Sequence, residues 1–394
     1  MSQRQRVAVT GVGPVSAIGG GREDFGDAIR EGRCGASPIS AFDTTGFAHA
    51  LACEVPQDTT DGPHGRASQF AVQAALLALS DAGLTPEWLR DRRVSVAVGT
   101  TDGESQLIDA ISASYLTGTP VSVSDARAAH PLNLAMSIVD RLGLFDVETL
   151  TIATACSAGN YAIGNGFDAI ASGAAEVALV GGADALCRKT FTGFYRLGTV
   201  APDACRPFDK DRQGILTGEG AGMMVLERLE AAIERGAHIY CEVLGYGLTC
   251  DAKHPVAPDV KGITASIRKA LRLADIDPGQ VDLVSAHGTG TKANDVTECE
   301  ALAAVFGDQL PPVTSVKSMI GHSMGAASAL GAIASALALE DQFIPPTVNF
   351  RQGDPDCPVD CVPNTSRDAE LTVVENHGFA FGGNNAVLLL ERLP

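Results

Sequence analysis

LTIATACSAGNYAIGNG, residues 150–166, reads as an apolar strand that runs into a cysteine and then into a helix of small residues. A thiol at a strand-to-helix turn sits near the positive end of a helix, and this favours its nucleophilic thiolate form. Ala155, Ser157, Ala158 and Gly159 around Cys156 are small and leave room for a substrate carbonyl. An isolated cysteine is more often an inert core residue, so the reading depends on what else the chain carries.

Two further turns answer it. VDLVSAHGTGT (281–291) and SVKSMIGHSMGAASALG (315–331) each place a histidine, His287 and His322, just after an apolar strand-like run. Open α/β sheets keep their sites at the carboxyl ends of strands. One thiol and two imidazoles in such turns suit nucleophilic acyl chemistry. Thr289 and Thr291 alternate along the first histidine turn, where their hydroxyls can hydrogen-bond an amide-bearing substrate arm. Lys317 lies so near apolar sequence that it needs an acidic partner, for which Asp295 and Glu298 are the candidates. Residues 379–385, FAFGGNN, form a glycine turn able to aim a backbone N–H at an oxyanion, with the N–H of Cys156 as its mate.

Working outward, strands and helices alternate. Strand-like runs at 6–13, 92–100, 150–154 and 176–184 are separated by helical stretches, among them 68–82, which stops at Gly83. The second half repeats the theme with strands at 240–248, 281–288 and 312–318 and helices at 263–274, 294–306 and 325–339. Such alternation predicts parallel strands with helical crossovers and an architecture of two similar halves, 1–240 and 241–394, fused without a linker. The helix from Gly325 is almost all Ala, Gly, Ser and Leu, which predicts burial between layers.

A chain of 394 residues, 45% apolar and 19% charged, is a globular composition with a large core. The net charge of −18 argues against a nucleic-acid partner. Arg188, Lys189, Arg196, Arg206, Lys210 and Arg212 form the one basic cluster able to receive an acidic partner. The start shows no apolar segment of signal-peptide length, and no run approaches the roughly 20 apolar residues of a membrane span. A cytoplasmic protein is expected, with its ten cysteines reduced, since none forms a C-x-x-C pair.

Taken in order, TACSAG, GGAD, CRPFDKDRQGILTGEGAGMMVLE, DAKHPVAPD, AHGTGT, KSMIGHSMGAA and FAFGGNN resemble the β-ketoacyl-acyl carrier protein synthases of the thiolase superfamily, over nearly the whole chain. The elongating Cys-His-His branch, of fatty-acid and type II polyketide type, is the nearer match. The resemblance implies a thiolase-like duplicated five-layered α-β-α-β-α fold. It implies decarboxylative Claisen condensation of a Cys-bound acyl group with malonyl-acyl carrier protein, with no cofactor or metal. The partners it implies are an acyl carrier protein and a homodimer mate, or a homologous subunit in a heterodimer. It assigns Cys156 as nucleophile and His287 and His322 as hydrogen-bond donors to the extender thioester. Lys317 would order the surroundings of His322, with Asp295 nearby. Thr289 and Thr291 would hold the phosphopantetheine arm, Phe381 would be the gating residue, and Phe194 would border the pocket.

Three departures stand out. Gly331 occupies the place of the family's usual Glu, which leaves Asp295 as the acid expected for Lys317. Asn384 replaces the usual Thr. The segment from Ala185 to Cys205 is short, which suggests a specialised, secondary-metabolic synthase. Gly331 also motivates an alternative, an acyltransferase or cyclase that acts on a carrier-bound intermediate without malonyl extension. A non-catalytic partner would lack the nucleophile, and a degradative thiolase would need a cysteine in FAFGGNN.

Overall fold

The computed structural model describes residues 5–56 and 65–394. Ten strands follow one another across the main sheet, and an eleventh, the two-residue Gly19–Gly20, pairs only with the end of the first. Five come from the first part of the chain: β1 (Val7–Ser16), β2 (Val94–Gly99), β3 (Val147–Ile152), β4 (Val177–Asp184) and β5 (Gly220–Arg228). Five come from the second: β6 (Cys241–Cys250), β7 (Leu283–Ser285), β8 (Val313–Thr314), β9 (Val373–Phe379) and β10 (Asn384–Glu391). From the centre outward the first set runs β1-β5-β4-β2-β3 and the second β6-β10-β9-β7-β8. The two orders are the same. So are the directions: the first three strands of each set pair antiparallel and the outer three parallel. The sets meet where β1 pairs antiparallel with β6, Val7 opposite Val243.

The sheet is therefore mixed, not parallel as the alternation predicted. Part of the reason is local. β9 returns to β10 through the glycine turn at 381–383, and a connection that short can join only antiparallel neighbours.

Helices α1 (Arg66–Asp81) and α2 (Asn133–Leu142) cover the first strand set from outside. Helix α3 (Ala158–Ala171) follows Cys156, and α4 (Arg188–Arg196) follows β4. Helices α5 (Val260–Ala274) and α6 (Lys292–Phe306) cover the second set. Helix α7 (Ala327–Asp341) packs with α3 between the two strand sets, in one core that draws on both. The order across the molecule is helix, sheet, helix, sheet, helix. Residues 327–339 of α7 are all buried, as its all-round small and apolar composition predicts.

The turns that open α3 and α7 are built alike. Each begins with a non-glycine residue at positive φ, Ala155 at 53° and Met324 at 50°, and continues through one 3₁₀ turn into the helix. The alignment puts Gly325 where the first half has Cys156. The two turns pack against each other, and at Gly325 the second also meets the chain just after β2: a Cβ there would lie 2.5 Å from the backbone Cα of Thr100.

No helix among the described residues is long and apolar enough to cross a membrane. All ten cysteines are free thiols. Of the basic cluster, Arg206 and Arg212 are buried in ion pairs, Arg206 with Asp203, and Arg212 with Asp295 and Asp354. Only Arg188, Lys189, Arg196 and Lys210 reach solvent, so the basic surface is smaller than the sequence suggested.

Because the obstacle at Gly325 is backbone, Gly325→Ala is expected to destabilise the protein by about 1–3 kcal/mol. Urea denaturation would show this as a lower midpoint at unchanged slope.

Candidate active site

Cys156, His287 and His322 come from three strand ends, those of β3, β7 and β8, and converge. The sulfur and one ring nitrogen of each histidine lie within 4.8 Å of one another, and all three residues are buried. The imidazole rings stand edge to face, with centroids 5.5 Å apart. They form the floor of a cavity of about 250 Å³. Its walls include Phe194, Thr199, Ile215, Pro258, Thr289, Thr291, Phe379 and Phe381. A soft cation such as Zn²⁺ could bridge one thiolate and two imidazoles at this spacing.

Burial governs the protonation states. It pushes the Cys156 thiol up to about 12, against a smaller opposing pull from Lys317. Burial thus favours the thiol over the thiolate at the resting nucleophile. Burial, helped by Lys317, pulls His322 down to about 3 and His287 well below the ordinary histidine range. Both rings are neutral at pH 7. For His322 the tautomer follows from a hydrogen bond: the Met324 N–H donates to Nδ1 at 3.2 Å, so the ring proton resides on Nε2. This fixes His322 as a donor through Nε2. The Nδ1 of His287 is buried with no protein partner.

Thr289 and Thr291 line the cavity with their hydroxyls 2.9 Å apart, and the Thr291 hydroxyl also accepts the Asn294 N–H at the start of α6. Phe194 and Phe381 pack together at 5.5 Å between centroids, and Phe381 is 39% exposed, as an aromatic pair at the cavity mouth would be.

Asp295 is elsewhere. It is fully buried, pairs with Arg212 at 3.4 Å and accepts the N–H groups of Phe208, Thr289 and Gly290. Its work is to hold the histidine turn in shape, and it does not face the cavity. Nor is it the partner of Lys317. Among the described residues no carboxylate lies within ion-pair distance of that buried amine. The acid that most favours its charge is Glu298.

Glu298, the other acid at the start of α6, is the one that holds the His287 turn from behind. Its Oε1 accepts the His287 N–H at 2.8 Å and its Oε2 the Gly288 N–H at 2.8 Å. Behind it lies His377, whose Nδ1 is 2.9 Å from Glu298 Oε1 and whose Nε2 is 2.5 Å from Glu375 Oε1. Period-two spacing in β9, Glu-Asn-His, puts Glu375 and His377 on one face, and this was the available signal. Asp184, of the GGAD motif, is a second buried tether. It accepts the N–H groups of Thr101, Asp102 and Gly325 and so ties the end of β2 to the His322 turn.

Gly331 has a steric explanation. A Cβ there would lie 2.6 Å from the side-chain oxygen of Asn376. Asn376 in turn donates to Asn160 Oδ1 and to the Ser328 carbonyl, bonding β9 to both central helices.

Comparison with known proteins agrees with this geometry. Residues 4–232 match the N-terminal domain of the β-ketoacyl synthase family and residues 240–351 its C-terminal domain. Nodulation protein E of a Rhizobium species is 37% identical, covering 99% of this chain and 100% of its own. The 3-oxoacyl-[acyl-carrier-protein] synthase 2 of Synechocystis is 35% identical, covering 99% of both. Among solved structures, the ishigamide ketosynthase/chain length factor superposes with a TM-score of 0.96 at 52% identity, covering 99% of this chain and 100% of that one. With Cys156 and both histidines in place on that fold, the chain belongs to the β-ketoacyl synthases.

Proposed function

We propose that the protein catalyses decarboxylative Claisen condensation of an acyl group carried on Cys156 with malonyl on an acyl carrier protein. The observation that carries this reading is the meeting of one thiol with two neutral imidazoles at the floor of a mostly apolar cavity.

The chemistry divides into three steps. Cys156 Sγ attacks the thioester carbonyl of the incoming acyl carrier, and the carrier thiol leaves with the proton that the cysteine loses. The acyl-Cys intermediate splits one difficult bond formation into easier ones. Malonyl-carrier then enters, and His322, through its Nε2–H, and His287 donate to its thioester oxygen. Loss of CO₂ leaves an enolate whose charge those donors stabilise, each donor being worth about 10²–10³-fold in rate. Neutral rings are required, since an imidazolium would protonate the carbanion. The enolate carbon attacks the acyl-Cys carbonyl, the C–S bond breaks, and the departing thiolate takes a proton from solvent. Thr289 and Thr291 would hold the phosphopantetheine arm, and Phe381, backed by Phe194, would gate its entry. Lys317 adds positive potential beside the thiol and both rings, which favours thiolate and enolate alike.

The same reading takes 1–240 and 241–394 as the two halves, supported by the repeated strand order. It takes the cytoplasm as location and pathway-specific, polyketide-like biosynthesis as role, in keeping with the ishigamide relative. It includes a second subunit, identical or homologous. β3 ends the sheet with an unpaired edge, and the segment before it exposes Tyr115, Leu116, Val123 and Phe145. The cyclase alternative rested on Gly331, and the Asn376 network accounts for that residue without a change of reaction.

Cys156→Ala is expected to abolish acyl-enzyme formation with the fold intact, read by intact-protein mass spectrometry after incubation with acyl thioester. His322→Ala is expected to self-acylate yet release no CO₂ from radiolabelled malonyl-carrier; normal condensation would remove the two-imidazole assignment. Because burial raises the thiol pKa, the thiolate fraction grows with pH. Labelling of Cys156 by iodoacetamide is expected to rise about tenfold per pH unit from pH 7 to 9. A plateau below pH 8 would mean a preformed thiolate.

A further inference from the structure

The three fully buried groups Glu375, His377 and Glu298 form a line that ends at the backbone of His287. None of them lines the cavity, so the steps above do not use them. Burying two carboxylates is costly unless each is paired. His377 meets a carboxylate oxygen at both ring nitrogens, and a ring that donates at both positions is an imidazolium. The side chain thus supplies the positive charge that the two acids need. Lys317 supplies a second one on the cavity side of Glu298.

The arrangement matters for His287 because Glu298 grips it so directly. Both oxygens of Glu298 are occupied: Oε1 by the His287 N–H and His377, Oε2 by the Gly288 N–H and the Asn294 amide. Only an ionised Glu298 can accept all four. Phe379, two residues along the same face of β9, adds a second contact path, since its ring packs on His377 at 4.9 Å and on His287 at 5.9 Å.

Building on the condensing activity above, we propose that His377 is a positioning residue for the extender half-reaction. As an imidazolium bridging Glu298 and Glu375 it keeps Glu298 ionised, and so holds the His287–Gly288 backbone and the imidazole it carries in register with the extender thioester. It has no role in the loading of Cys156. The two carboxylates raise the His377 pKa to about 9 against the opposing effect of burial. The charged and titratable groups around the ring are Glu375 on its own strand, Glu298 on α6, His287 on the facing turn, and Lys317 beyond Glu298. The stabilisation from His377 is fully present below the ordinary histidine value and is lost as pH rises through about 9.

The test uses wild type, His377→Gln, Glu375→Gln and the double variant, with two assays: self-acylation by mass, and CO₂ release from labelled malonyl-carrier. In His377→Gln, acylation is expected within twofold of wild type, while kcat for CO₂ release falls about 10²-fold, the effect of misplacing a reacting group by about 1 Å. KM should change little. The double variant removes one charge of each sign and is expected to regain at least tenfold. Unchanged CO₂ release in His377→Gln overturns the proposal. So does a double variant no better than the single one, since that would mark His377 as filler. Independently of activity, ¹⁵N-histidine NMR of the wild type should show both His377 ring nitrogens protonated between pH 6 and 8; a neutral tautomer there overturns the proposal. If wild type loads acyl groups but never releases CO₂, the condensing function falls, and the NMR result still decides the state of His377.

Discussion

Close approach of backbone at the centre of the molecule is the constraint on which the site depends. Cys156 and His322 lie 166 positions apart in sequence, on different halves of a duplicated sheet. They meet because the turns that open α3 and α7 have almost no side chains between them. Alanine, serine and glycine make up most of both helices near these turns, and this is what lets two backbones touch. Positive φ at Ala155 and Met324 costs something of order 1–3 kcal/mol each. The strain persists because the surrounding packing fixes it, with Asp184 clasping the Gly325 N–H and Asn376 joining α3 to α7. Bulky residues here would stabilise a core but would part the nucleophile from its donors.

Electrostatics then separates three histidines that sequence cannot tell apart. All are buried and share one neighbourhood. His287 and His322 face a buried amine and find no acid at their rings, so both stay neutral. His377 faces two carboxylates and takes up a proton. Neutral rings can donate a hydrogen bond to an enolate without quenching it. A cationic ring cannot do that, but it can balance acids in a dry interior. One residue type thus serves two purposes, and the choice is made by which charges the fold puts within a few ångströms.

Much of this was legible in the chain. The strand–cysteine–helix run at 150–166 and the two histidine turns gave the site, because a reacting group at a strand's carboxyl end has a local signature. The small-residue helix at 325–339 announced its own burial. Long-range pairings had no such signature. Strand direction is one of them: alternating strands and helices look the same whether a returning strand pairs parallel or antiparallel. Arg212 reads as surface charge because nothing near it in sequence shows that Asp295 and Asp354 bury it. Sequence alone does not separate Asp295 from Glu298 as the acid for Lys317; α6 turns Asp295 toward Arg212 and Glu298 toward the amine.

The missing acid at residue 331 brings these threads together. Strand β9 has two faces, and successive residues go to opposite ones. Asn376 faces the central helices and needs Gly331 to make room for it, so the central layer is neutral at that point and is held by amide hydrogen bonds. Glu375 and His377 face the outer helix, and there the charges gather. The two faces of this strand thus differ: amide hydrogen bonds on the central side, two carboxylates and an imidazole on the outer side. The charged cluster lies behind His287, and His322 sits among neutral groups and Lys317. Two imidazoles that perform the same task are therefore supported differently: His322 by a backbone N–H that sets its tautomer, His287 by a buried carboxylate that sets its position.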